Sequence, residues 1–326
     1  MGTMVDGKWR TDAWIRDNEG RFEREPTTFR DAVTDDPGGD FPVAAGRYHL
    51  YVSYACPWAH RTLIVRALMG LQDAISVSVV HPHMLEDGWS FDTDFPGTTG
   101  DGLYDLRFAR ELYQKADPNY SGRVTVPILW DTETQTIVNN ESREIIRMFS
   151  SAFPSLATTT TDLFPEAAHD KIDHFIDAIY EPINNGVYRS GFATTQQAYE
   201  EAVDELFSAL RRFEDHLGEN RFLAGELFTE ADVCLFTTLL RFDPVYYGHF
   251  KCNIQHVYEF PHLWNYTLEI YQMPGVADTC FLDHIQEHYY YSHETINPTR
   301  VVPVGPRLNR NTPHDRARLP GRIASR

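Results

Sequence analysis

The chain is poor in the features that would tie it to an oxidising compartment, a bilayer or a nucleic acid. Four cysteines in 326 residues (56, 234, 252 and 280) stand at irregular spacings, too few and too scattered for a disulfide framework. That points to a reducing, cytoplasmic setting in which a lone thiol stays reactive. No apolar run approaches a membrane span, and the polar start from Met1 to Arg10 lacks the apolar core of a secretory signal. Lysine is scarce, at positions 8, 115, 171 and 251 only, and the net charge of −18 argues against nucleic acid and anionic membranes as partners. An acid-rich, Lys-poor composition fits a halophilic protein, because concentrated salt screens self-repulsion. An ordinary acidic enzyme from a GC-rich genome would read the same way. No GxGxxG, no P-loop and no internal repeat occurs.

What is present centres on Ser53-Tyr54-Ala55-Cys56-Pro57-Trp58-Ala59-His60-Arg61. Tyr48–Val52 before it is aromatic and β-branched, which suits a strand. Residues 62–69 after it carry apolar side chains at helical spacing, ended by Gly70. Cys56 therefore falls at a strand-to-helix turn, with Pro57 at the first helical position, where its missing N–H has no partner to lose. Unpaired N–H groups and the positive end of the helix dipole favour thiolate over thiol there. The alternative is a buried, inert cysteine acting as a small hydrophobe, and the position favours the reactive reading. Ala59 stands where a C-x-x-C motif would carry its second Cys, so a thiol from outside should complete any reaction.

Residues 1–46 hold Trp9, Trp14, Phe22, Phe29 and Phe41 among Gly, Pro and Asp. They read as an irregular arm that packs by its aromatics. Residues 47–152 follow the order strand, Cys turn, helix and a second strand over 75–80. A long insertion, 81–122, comes next, with a helix expected at Leu103–Lys115. A hairpin of 125–130 and 136–138 follows, with Pro127 as a candidate cis residue, then a helix over Arg143–Phe149 opened by Asn140-Glu141-Ser142. That is a thioredoxin-like order. A Pro/Thr-rich linker, 153–165, precedes an all-helical segment, 166–298. There Ala167–Tyr180 and Gln196–Leu217 are amphipathic, and Thr229 with Asp232 forms a helix start stapled by Phe228 and Val233. Residues 299–326 are a basic Pro/Arg-rich tail with seven arginines, expected to be ordered to about Pro313 and to fray beyond it.

A thioredoxin-like half carrying Cys-Pro-Trp-Ala, followed by an all-helical half, resembles the cytosolic glutathione transferases. Longer stretches resemble one branch, the glutathionyl-hydroquinone reductases or Xi class. They are Cys56–Arg61, Asp87–Phe91, Arg123–Pro127, Asn140–Ser142, Ile183–Tyr188, Arg241–Tyr246, His249–Asn253, and His288–Tyr290 through Ile296–Arg300, with Gly7–Trp9 and Gly20–Phe22 in the arm. The resemblance implies Cys56 as nucleophile and Trp89, Arg123, Val124, Glu141 and Ser142 as the residues that hold glutathione. It places Tyr188, Tyr246 and Tyr289 around a quinol ring, with Tyr188 or Tyr289 as proton donor and Tyr247, Tyr290 and Tyr291 as neighbouring alternatives. It implies small-molecule thiols and quinol conjugates as partners and glutathione as co-substrate, with no metal; the salt-adapted composition adds γ-glutamylcysteine as an alternative thiol, and a hydrophobic face on the helical half suits a homodimer.

The chemistry is consistent with those assignments. A helix start with a Ser hydroxyl suits the γ-glutamyl carboxylate, while Glu141 suits its ammonium. Backbone groups at Val124 can pair with a tripeptide as an added strand. Arg123 can meet a carboxylate, and phenols can hydrogen-bond ring hydroxyls. Singly, Glu141-Ser142 would be no more than a cap and Trp89 a core aromatic. His284-Ile285-Gln286-Glu287-His288 fits H-x-x-E-H, a zinc-protease pattern, but no third ligand is evident. The resemblance leads to a reductase of S-glutathionyl-hydroquinones. The rival readings are an Omega-like reductase of dehydroascorbate or protein–glutathione disulfides, which needs only Cys56 and the thiol pocket, and a non-catalytic binding module.

Overall fold

The structure, a computed structural model, describes residues 2–11, 19–24 and 26–326. The arm opens with a hairpin of β1 (Thr3–Val5) and β2 (Lys8–Arg10). Met4 exchanges both backbone bonds with Gly122, at 2.9 and 3.0 Å, which docks this hairpin on the end of the insertion. Further on, Phe29 packs on Tyr113 and Tyr120, while Phe22 packs on Tyr188 and Phe192 of the helical half. The arm thus packs by its aromatics across both halves; Trp14 lies outside the described residues.

Strand β3 (Tyr48–Val52), helix α1 (Pro57–Leu68) and strand β4 (Ile75–Val79) form the parallel crossover that the sequence indicates. Gly70 follows α1 at φ 67°, a left-handed conformation that a side chain would strain, and its N–H and that of Leu71 close the helix on Ala67 and Arg66. In the insertion, helix α2 spans Ala109–Ala116, six residues later than the expected start at Leu103. The Asp101 carboxylate explains the delay. It accepts the N–H groups of Leu103, Tyr104 and Leu106 at 3.0–3.1 Å and the Tyr51 hydroxyl at 2.8 Å. Residues 103–106 therefore wrap around a side chain instead of starting a helix. Glu111 then accepts the N–H groups of Arg107 and Phe108, both at 2.8 Å, and fixes the true start.

Strands β5 (Ile128–Asp131) and β6 (Thr136–Asn139) make the hairpin, and the sheet order is β4-β3-β5-β6 with β3–β5 and β5–β6 antiparallel. The Val126–Pro127 peptide just before β5 is cis. Helix α3 (Ser142–Ser151) completes the thioredoxin-like half. Beneath it a bidentate Arg47–Asp131 pair, at 2.8 and 2.7 Å, ties β3 to β5 in a nearly dry setting. Burial would raise the Asp131 carboxyl, but the Arg47, Thr134 and Glu133 donors outweigh it and hold it below the usual range.

The 153–165 stretch contains a short strand, β7 (Thr161–Asp162). Helices α4 (His169–Ile179), α5 (Gly186–Phe192), α6 (Gln196–Glu219), α7 (Glu230–Arg241), α8 (Pro261–Tyr271) and α9 (Leu282–Ser292) make the helical half. Ile172, Ile176 and Ile179 of α4 and Ala202, Leu206, Leu210 and Phe213 of α6 are buried along the expected stripes. Two π turns, Tyr180–Asn184 and Phe242–Tyr246, extend α4 and α7, each with a Pro at its third position. Pro182 and Pro244 cannot donate an i→i−4 bond. The wider bonds Asn185 N–H to Tyr180 O and Tyr247 N–H to Phe242 O, both 2.8 Å, carry the chain past them. Helix α1 packs on α3 on one side and on α7 on the other, so the Cys turn sits at the junction of the halves.

Asp232, in the first turn of α7, accepts the Thr229 N–H at 2.8 Å, the Leu223 N–H at 2.8 Å and the Tyr266 hydroxyl at 2.9 Å, all buried. Asp232→Ala strands these buried donors and the Thr229 hydroxyl and should cost roughly 1–3 kcal/mol for each one that water cannot reach, read as a lowered urea midpoint at unchanged slope.

The tail departs from expectation. Beyond Pro313 it forms a turn over Arg316–Arg318 and a strand, β9 (Arg322–Ser325). β9 lies between β7 and β8 (Leu227–Phe228), in the order β7-β9-β8. The Arg316 side chain is fully buried and donates to the carbonyls of Leu217, Asn220 and Arg221, each at 2.6 Å. A cation on the open carbonyls at a helix end is what the helix dipole favours, and it holds the tail where fraying was expected.

Candidate active site

Cys56 caps α1 in extended conformation, and its carbonyl accepts the first helical bond from His60 at 3.0 Å. The thiol donates to the Val126 carbonyl at 3.4 Å. The residue keeps partial exposure to a cleft, yet burial of the sulfur pushes the thiol above its usual range. The N–H groups of Ala59 and Trp58 and the charges of Arg241 and Arg24 pull it back down. The helix-start donors act on the thiol in the expected direction, and desolvation, which the sequence does not show, opposes them.

Two adjoining cavities meet at this turn. The smaller, about 110 Å³, brings together Cys56, Trp89, Arg123, Val124, Tyr188 and Tyr289. The larger, about 270 Å³, is walled by Arg123, Glu141 and Ser142, with Trp58, Asn140 and Tyr180. Glu141 caps α3, accepting the Arg143 N–H at 3.2 Å, while Ser142 is buried against the Arg61 guanidinium at 3.3 Å. Arg61 also bonds Asn184 Oδ1 at 2.9 Å, and Asn184 donates to the Cys234 carbonyl and the Thr238 hydroxyl. The π turn after α4 thus braces the thiol side of the cleft.

Tyr188 and Tyr289 face each other with hydroxyls 2.5 Å apart, and Tyr246 reaches Tyr289 at 3.1 Å. Tyr246 is fully buried behind Tyr289 and does not line the cavity. Burial raises all three phenols above their ordinary value, so all three stay protonated, and Tyr188 and Tyr289 stand in the cleft as donors. The neighbouring tyrosines point elsewhere: Tyr247 stacks on His256, Tyr291 on His83, and Tyr290 meets His249. Trp89 stacks on His288, whose Nδ1 bonds the Pro82 carbonyl at 2.8 Å. His284 Nε2 meets the Pro96 carbonyl and Glu287 meets His83, so the H-x-x-E-H residues pack separately. Among the described residues no cluster of three or more His, Cys, Asp or Glu is placed to hold a metal ion.

Several site residues lay outside the sequence reading. Arg24 of the arm lines both cavities, its guanidinium 5.0 Å from the Trp58 ring and 4.9 Å from the Tyr188 ring. Phe22, Met84, Phe192, His288 and His293 close the aromatic cavity. Val126, two residues past Val124, offers its backbone directly to Cys56. The signal for Phe22 was present in Gly20-Arg21-Phe22; nothing local marks Arg24 or Met84.

Residues 55–152 match the family model described as glutathione S-transferase, N-terminal domain, and residues 196–267 match its C-terminal counterpart. The fold and these matches define a glutathione transferase. The glutathionyl-hydroquinone reductase YqjG of Escherichia coli is 52% identical over 324 residues, covering 97% of this chain and 98% of its own. The glutathionyl-hydroquinone reductase PcpF of Sphingobium chlorophenolicum is 47% identical, covering 94% and 96%. The Xi-class transferase from Natrialba magadii superposes with a TM-score of 0.94 at 56% identity, covering 99% and 98%. The glutathione-bound structure of YqjG gives 0.89 at 50% identity, covering 97% and 99%. The chain belongs to the glutathionyl-hydroquinone reductases, the Xi class of glutathione transferases.

Proposed function

We propose that this protein uses glutathione to reduce S-glutathionyl-hydroquinones through a mixed disulfide on Cys56. The observation that carries the reading is the position of Cys56 in one small cavity with two hydroxyl-paired tyrosines, beside a larger cavity walled by Arg123, Glu141 and Ser142. The glutathionyl group lies in the larger cavity, its γ-glutamyl end at the start of α3. Val124 and Val126 offer their backbones to the tripeptide, Arg123 meets a carboxylate, and Trp89 covers the ligand. The ring enters the aromatic cavity. The Cys56 thiolate attacks the glutathionyl sulfur and the C–S bond breaks. Its electron pair stays on the ring carbon, which takes a proton from Tyr188 or Tyr289. A second glutathione thiolate then attacks the Cys56 mixed disulfide, releasing glutathione disulfide and restoring the Cys56 thiolate.

Tyr188 and Tyr289 do the donating, and Tyr246 holds Tyr289 in place from behind. Tyr188→Phe should lower kcat on the quinol conjugate by roughly 10²-fold while leaving exchange with a simple glutathione disulfide unchanged. Equal losses on both substrates would favour a general disulfide reductase. The remaining assignments belong to the same reading: division near 1–46, 47–152, 153–165, 166–298 and 299–326, a homodimer, a cytoplasmic setting, and assay in high salt. Among the described residues no helix is long and apolar enough to cross a membrane.

A further inference from the structure

Arg241 closes α7 and is fully buried. Its Nε donates to the Ala55 carbonyl at 2.8 Å, one terminal nitrogen to the Tyr54 carbonyl at 3.1 Å, and the other to the Thr237 carbonyl at 2.9 Å. The fourth partner is His60 Nδ1 at 3.1 Å, on a ring that burial keeps neutral. Every one of these partners is uncharged, and among the described residues no carboxylate lies within ion-pair distance of the guanidinium. A buried cation with no anion is expensive, and an apolar side chain of similar size usually serves a core at least as well. An anion that forms beside such a cation in another state of the molecule is strongly stabilised by it.

Arg241 also eases ionisation of Cys280, but its grip on Tyr54 and Ala55 favours the Cys56 thiolate as that anion. These are the two residues just before Cys56, so the guanidinium is fixed beneath the loop that presents the thiol. The groups around Cys56 leave the role open. From α1 come the N–H groups of Trp58 and Ala59; from the arm, Arg24; from the segment before β5, Arg123 and the Val126 carbonyl. From α5 and α9 come Tyr188, Tyr289 and His288, which burial keeps neutral. No Asp or Glu among the described residues lines this cavity. Arg24 lies on the exposed side, between the two cavities, whereas Arg241 acts from the protein interior, where solvent and salt screen little.

We propose that Arg241 is the built-in counter-charge of the Cys56 thiolate, a positioning residue that allows a desolvated thiol to ionise. It deepens the reductase reading by assigning how the nucleophile is formed, and it rests on Cys56 as the reacting thiol. The test is the pH profile of Cys56 alkylation by iodoacetamide, followed by peptide mass, in high salt. It uses neither glutathione nor quinol, so its failure is distinct from failure of the reductase reading. The other thiols compete little, because burial raises Cys234 to about 11 and Cys252 and Cys280 to about 12. Arg241→Met, with its fold checked by circular dichroism and melting, should react at least tenfold more slowly at pH 7, its profile moved up by about one pH unit. Arg241→Lys keeps the charge and loses the fork to Tyr54 and Ala55, and it should stay within about threefold of wild type. Wild-type reactivity in Arg241→Met would overturn the proposal. So would a tenfold loss in Arg241→Lys, because the residue would then be a clamp whose charge does not matter. If Arg241→Met does not fold, Arg241→Lys alone decides between these outcomes.

Discussion

Cys56→Ala is expected to remove at least about 10³-fold of the turnover of S-glutathionyl-hydroquinone with added glutathione, because the covalent route disappears with the sulfur. Cys56→Ser should be nearly as inactive: a hydroxyl in this turn has the same donors but stays protonated at neutral pH. Glutathione affinity should change by less than about threefold in either variant, since the walls of the larger cavity come from Arg123, Glu141, Ser142 and neighbours untouched by the change. Calorimetry and turnover on the same preparations separate the two effects. Intact mass should show a glutathione adduct on wild type after exposure to substrate and none on the alanine variant. A variant that still turns over would mean that Cys56 caps a helix and does no chemistry.

The second large effect falls on stability. Arg316→Ala leaves three carbonyls at the end of α6 without donors and opens the turn that leads into β9. Each stranded acceptor costs on the order of 1–3 kcal/mol where water cannot reach it, and partial entry of water brings the total to roughly 3–5 kcal/mol. The measurement is equilibrium urea unfolding in high salt. Arg316→Lys, with one compact charge in place of a fork, should recover only part of the loss. Ending the chain after Pro313 should cost at least as much, because β7 and β8 then lose the strand between them. Unchanged stability in the truncated protein would show that the tail only rests on the surface.

Local chemistry explains which parts of the fold the sequence discloses. The strand–Cys turn–helix unit is readable because Tyr48–Val52, Pro57 and Gly70 each state a conformation on their own. Thr229 and Asp232 declare the start of α7 in the same way. The start of α2 escapes because one carboxylate, Asp101, gathers three N–H groups that the apolar pattern assigns to a helix. The tail escapes because the partners of β9 are 95 and 162 residues or more away, in β8 and β7, and a basic Pro-rich composition carries no trace of them.

The site divides along the same line. Cys56, Trp89, Arg123, Val124, Glu141, Ser142 and Tyr188 sit in motifs, and the structure gathers them around two joined cavities. Tyr289 joins them through a hydrogen bond to Tyr188, and Tyr246 stands one layer back. Arg24 and Arg241 reach the Cys turn from an arm and from the far end of a helix, by tertiary approach alone. Their charges, together with the helix-start N–H groups, oppose a desolvation of the thiol that the sequence does not reveal.

The most direct test mixes the protein with one equivalent of S-glutathionyl-hydroquinone and no free glutathione, then follows a single turnover. The account predicts about one free hydroquinone per chain and a glutathionyl group in disulfide linkage on Cys56, released by later addition of glutathione. A ring attached to Cys56 through a thioether, or no hydroquinone released by well-folded protein, would contradict it.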